Sequence, residues 1–190
     1  MNPKPTLFIL LTIPILLGSG VRNEVPNMVD DVDKRPLVRL VLQGLELWTP
    51  AAESLVHRTG AVESLYMSRD ALNNAPELGY WQIHPQTARD ILFRYLQRPS
   101  KMSLKVNLEK VLGYEISWLM DESNRLDQQL RNNDVLGIAL CRLWYVMAPY
   151  RIPGAQNLTA QARLWKRWFN TQKGNGTVRR FVKTVGELGV

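Results

Sequence analysis

Hydrophobic residues recur at helical spacing along most of the chain. Leu37, Val38, Leu40, Val41, Leu42 and Leu45 form one such run, which predicts a first helix over 37–47. Thr49-Pro50 supplies an N-cap and a first helical residue for a second helix over 50–64, carrying Leu55, Val56 and Val62. Residues 68–78 hold two adjacent Asn, an Asp and a Pro and read as an exposed loop, with a small hairpin-like insertion spanning 66–83. Helices follow over 85–97, over 104–112 up to Gly113, and over 114–131. Asn132-Asn133-Asp134 then breaks the pattern and caps the most apolar helix, Val135 to Met147. Another helix begins near Asn157-Leu158-Thr159 and holds Leu164, Trp165, Trp168 and Phe169, with the two Trp read as core. A loop over 172–176 leads to a last helix with Val178, Phe181, Val182 and Val185. The expected fold is mainly α.

The N-terminus departs from this pattern. Lys4 precedes an apolar run, Leu7 to Leu17, that ends in Gly18-Ser19-Gly20, the layout of an export signal. The run is shorter than the ~20 residues a spanning helix needs. An export signal over 1–20 is therefore the preferred reading, with an uncleaved membrane anchor or a buried apolar arm as alternatives. Residues 21–36 are polar and broken by Pro26 and Pro36, as a linker would be, which assigns 37–190 to the folded domain.

Charge divides the chain further. The formal net charge is +7, and residues 151–190 hold all of the excess, with Arg151, Arg163, Lys166, Arg167, Lys173, Arg179, Arg180 and Lys183 against Glu187 alone. Such a segment suits an anionic partner, either cell-wall polymer or membrane surface, or else is a solvated helix face. No nucleic-acid motif accompanies the charge, so no specific nucleic-acid partner is expected. Cys141 is the sole cysteine and sits in an apolar helix, which reads as a buried structural thiol. His57 and His84 show no metal-ligand spacing.

The candidate chemistry lies in 62–90. Glu63-Ser64 ends the second helix, and nineteen residues after Glu63 comes Gln82 within Gly79-Tyr80-Trp81-Gln82-Ile83-His84-Pro85-Gln86-Thr87-Ala88. A carboxylate at a helix end, facing a Gly-aromatic-Gln wall, suits a general acid in a partly apolar cleft. A second Glu-Ser-Leu triplet at Glu53 lies too far from Gln82 and reads as a helix-dipole partner.

These two blocks resemble the lytic transglycosylases of the soluble-lytic type, related to goose-type lysozyme. That family carries Glu-Ser at a helix end, followed by Gly-Leu-Met-Gln-(Ile/Val)-x-Pro-x-Thr-Ala. Here Tyr80-Trp81 replaces Leu-Met, while Gly79, Gln82, Ile83, Pro85, Thr87 and Ala88 match. A third block of the family, Ala-Tyr-Asn-Ala-Gly, has its counterpart at Trp168-Phe169-Asn170, with Gly174 and Gly176 nearby. Phe169 stands where the family has Tyr, and Tyr145 is the alternative source of that hydroxyl. The ending of the chain is similar to that of phage-encoded members.

The resemblance implies a lysozyme-like fold, α+β with a small β-hairpin beside the catalytic helix. It implies cleavage of the MurNAc–GlcNAc bond of peptidoglycan glycan strands, with Glu63 as acid and then base and without metal or cofactor. Ser64, Tyr80, Gln82, Tyr145 and Asn170 are the expected substrate-binding residues. A hydrolase of this kind would need a second carboxylate ~5–9.5 Å from the first, and Asp70 is the candidate in the loop after Glu63. The rival reading is a non-catalytic wall-binding or virion structural protein that keeps the fold.

Overall fold

Why the second helix organises the molecule follows from how much of it is covered. A computed structural model describes residues 33–70, 76–122, 124–171 and 174–190. In it, α1 (Arg35–Gly44) packs on α2 (Pro50–Ser64), and α6 (Asp134–Val146) packs on both. Thr49 caps α2 by accepting from the Ala52 amide at 3.0 Å, and Leu65, left-handed at φ 56°, ends it. Between these ends α2 is buried on nearly every side, from Ala52 to Val62. Its polar residues are therefore inside the protein and need partners.

Most of them have one, with His57 Nδ1 the exception among the described residues. Glu53, 5% exposed, accepts from Arg39 at 2.8 and 2.9 Å and from the Trp48 indole at 2.6 Å. The Arg39 bond holds its carboxyl below the ordinary value. Thr59 donates to the Leu55 carbonyl at 2.8 Å and meets the Tyr145 hydroxyl at 2.9 Å. Ser54 donates to Gln161 at 3.4 Å. The first-turn position of Glu53 is as expected, but its main role is to tie α1 to α2.

The remaining elements are α3 (Pro85–Asp90), continued by a π-turn over Ile91–Tyr95, then α4 (Met102–Leu112), α5 (Arg125–Asn132), α7 (Leu158–Leu164) and α8 (Val178–Leu188). A second π-turn, Trp165–Phe169, extends α7. The protein is mainly helical. The larger core gathers Leu42, Leu55, Trp81, Ile91, Leu140 and their neighbours. A smaller one holds Val62, Ala162, Trp165, Phe181 and Val185, where α2 meets α7 and α8. Among the described residues no helix is long and apolar enough to cross a membrane. The expected export segment, 1–20, lies outside the described residues, as does most of the linker.

Three expectations change. Pro36 lies in the first turn of α1, where its missing N–H costs nothing, so the helix starts inside the expected linker. The single helix expected over 114–131 is a 3₁₀ turn, Ile116–Met120, followed by α5. Arg125 takes the Trp118 carbonyl at 2.7 Å and binds Asp121 and Glu122, and these side-chain bonds hold the break.

The hairpin of 66–83 is, among the described residues, reduced to isolated antiparallel bridges, Asp70 with Leu78 and Leu78 with Ile83. Gly79 at φ 72° and Gln82 at φ 47° fold Tyr80 and Trp81 into a tight turn instead of a strand. Strand alternation would turn one of these two aromatics outward. In the turn both are buried. Trp81 donates its indole N–H to the Val56 carbonyl at 2.9 Å.

Candidate functional site

The last turn of α2 carries Glu63 to the junction with α7 and α8. Val62, next to it, fills the smaller core, which pins the helix end against Trp165 and Phe181. The Trp165 indole N–H donates to Glu63 Oε1 at 2.7 Å. Burial pushes the Glu63 carboxyl up to about 7. The Trp165 bond and the Arg180 guanidinium pull it down, while the Glu77 carboxylate pushes it further up. The result is a carboxyl that is half protonated near neutral pH. Such a group can both give and take a proton there.

One helical turn before Glu63, Thr59 holds the hydroxyl of Tyr145. Residues four apart on a helix are neighbours on one face, so Tyr145 approaches the same face of α2 as Glu63. The Tyr145 ring stacks on Phe169, with centroids 5.6 Å apart and planes at 26°. The two alternative sources of the third block are thus in contact. The Tyr145 hydroxyl is bonded to Thr59, and the Phe169 ring lies beside it. Burial holds that hydroxyl far above its ordinary value, so it stays protonated.

Asn170 closes the same neighbourhood from the end of the π-turn. Its amide donates to the Trp165 carbonyl at 2.9 Å, and its Oδ1 accepts from Lys166 Nζ at 2.9 Å. Lys166 also donates to the Thr171 carbonyl at 2.7 Å and the Gly174 carbonyl at 2.8 Å. A Cβ at 176 would lie 2.3 Å from Trp165 Cη2, so the close passage of the chain over the indole requires glycine there.

The other expected contacts are engaged elsewhere. Ser64 Oγ donates to the Gly60 carbonyl at 3.2 Å and accepts from the Tyr66 amide at 3.1 Å, stabilising the helix end. Gln82 donates to the Gly79 carbonyl at 2.7 Å and closes its own turn. Tyr80 is buried beneath the Arg69 guanidinium, 4.0 Å from the ring centroid, and Lys34, 5.1 Å away. Both cations bind Asp134, so Tyr80 belongs to a clamp joining α6 to the segment before α1. Asp70 pairs with Arg131, and the carboxylate whose charge reaches Glu63 is Glu77.

From the sequence, Trp165 reads as core and Lys166 and Arg180 as parts of a basic segment. Trp165 is core, at 1% exposure, yet a buried indole N–H still seeks an acceptor, which is the signal that could have paired it with Glu63. Cys141 is fully buried with its thiol pushed up, a structural residue. His84 caps α3 through Nδ1, which accepts from the Gln86 amide at 3.0 Å. Among the described residues no group of three or more His, Cys, Asp or Glu could hold a metal ion. No family model, no curated protein and no solved structure matches the chain.

Proposed function

We propose that this protein is a peptidoglycan-cleaving lytic transglycosylase with a lysozyme-like fold, exported to the cell envelope and acting on the MurNAc–GlcNAc bond. The observation that carries the reading is Glu63, a carboxyl raised to about 7 at the end of a buried helix and followed by the Gly79–Ala88 block. Protonated Glu63 gives its proton to the glycosidic oxygen as the C1–O bond breaks. The resulting carboxylate then takes the proton of the muramyl 6-hydroxyl as that oxygen bonds to C1. The products are a 1,6-anhydromuramyl end and a free GlcNAc hydroxyl, with Glu63 protonated again. One group serves both steps, which suits a carboxyl poised near working pH.

A second reading, a non-catalytic wall-binding or virion protein on the same fold, draws on the commitment of Ser64, Tyr80 and Gln82 to internal bonds. Digestion of purified peptidoglycan by the wild type and Glu63→Gln separates the two. Loss of the acid should lower turnover ~10²–10⁴-fold. Equal activity of the variant would remove Glu63 from the mechanism.

A further inference from the structure

Glu63 has two oxygens in unlike settings. Oε1 accepts the Trp165 indole N–H at 2.7 Å. Among the described residues Oε2 accepts no bond, and Glu63 as a residue is half-buried. An indole N–H is a donor only, so the oxygen it binds is held as an acceptor.

The indole is itself fixed from several directions. Phe181 packs on it with centroids 5.1 Å apart, and Gly176 passes close over Cη2. Lys166 ties Asn170, Thr171 and Gly174 together through three acceptors, two residues short of Gly176. A π-turn starts at Trp165 and is closed by the Asn170 amide on its carbonyl. Such turns are rare and recur at functional sites.

We propose that Trp165 is a positioning residue for Glu63: its indole N–H claims Oε1 and so leaves Oε2 to carry and deliver the proton. This rests on the transglycosylase reading for what is delivered, but the bond itself is independent of it. When the proton leaves Oε2, the indole N–H remains on Oε1 and stabilises the carboxylate. Phe169 lacks a hydroxyl in the third block, and Trp165, four residues earlier, supplies a polar hydrogen to the acid. The other groups facing Glu63 are Arg180 from α8, Glu77 ahead of Leu78, and Cys141 and Tyr145 from α6.

The test uses the full chain with ¹⁵N-labelled indoles and needs no variant for its first arm. One of the six Trp indole signals should titrate with a midpoint of about 7, and Glu63→Gln should abolish that titration. Trp165→Phe identifies the signal and removes the donor. The Glu63 carboxyl, followed by ¹³C, should then titrate about one pH unit higher. With peptidoglycan as substrate, kcat should fall while KM holds, and the alkaline limb of the pH profile should move up with the carboxyl. A Trp165 signal flat through neutral pH, or an unmoved carboxyl in Trp165→Phe, would overturn the positioning role. A titrating indole on a protein that leaves walls intact would overturn the enzymatic reading and, with it, the delivery of the proton.

Discussion

At the scale of single residues, the cost of ionising Glu63 falls on the fold. Its folded-state carboxyl keeps the proton up to about 7 against an ordinary 4.5, so the unfolded chain releases that proton first. Stability from this residue is fully present below pH 4.5 and is lost as pH rises toward 7. The ceiling is about 3 kcal/mol, reduced because Glu63 is half-buried and not sealed from solvent. Glu63→Gln keeps an acceptor for Trp165 and has nothing to ionise. It should match the wild-type Tm near pH 4 and exceed it at pH 8, in thermal melts across that range. Equal melting at both ends would mean that Glu63 ionises freely. His57 acts in the opposite window: burial lowers it to about 4, so its contribution is present above 6.5 and fades as pH falls.

At the scale of elements, local signals and tertiary packing divide the credit. Thr49-Pro50, Gly113, Asn133 and Asn157 each mark a helix boundary that the structure has, because a cap or a left-handed glycine acts within a few residues. The burial of α2 on all sides was not legible. Its Glu53, Ser54, His57 and Thr59 look like a solvent face until Arg39, Gln161, Asp33 and Tyr145 arrive from distant positions. The tight turn at Tyr80–Gln82, within the expected hairpin-like insertion, is illegible for a similar reason, since its conformation depends on contacts with Val56 and Leu130. Gly79 is the hinge of that turn. At φ 72°, with a Cβ that would sit 2.3 Å from the Leu130 carbonyl oxygen, it has no room for a side chain. Gly79→Ala should cost at least about 2 kcal/mol in urea unfolding. A variant as stable as the wild type would show that the turn relaxes freely.

At the scale of the whole molecule, the charge asymmetry is plain in the sequence, but its uses are not uniform. Lys166 is spent on Asn170, Thr171 and Gly174, Arg167 stacks over Tyr150 at 4.3 Å, and Arg180 acts on Glu63. Lys183 pairs with Glu187 at 3.6 Å, which leaves Arg151, Arg163 and Arg179, all exposed, as the better candidates for holding an anionic wall or membrane surface. Neutralising these three together should weaken co-sedimentation with intact walls, most at low salt, because screening acts over ~8 Å at physiological ionic strength. Turnover of a short soluble glycan should hardly change. Unaltered wall binding at every salt concentration would make them an ordinary solvated face. Glu63 stands out in the sequence, but its expected partner Gln82 closes its own turn, whereas Trp165 and Glu77 join Glu63 only through folding. The product formed at Glu63 is the direct readout of the proposed chemistry. Mass spectrometry of purified peptidoglycan digested by the wild type should find 1,6-anhydromuramyl ends, each lighter by one water than a hydrolysed end and absent with Glu63→Gln. Reducing muramyl ends, or an intact sacculus, would contradict it.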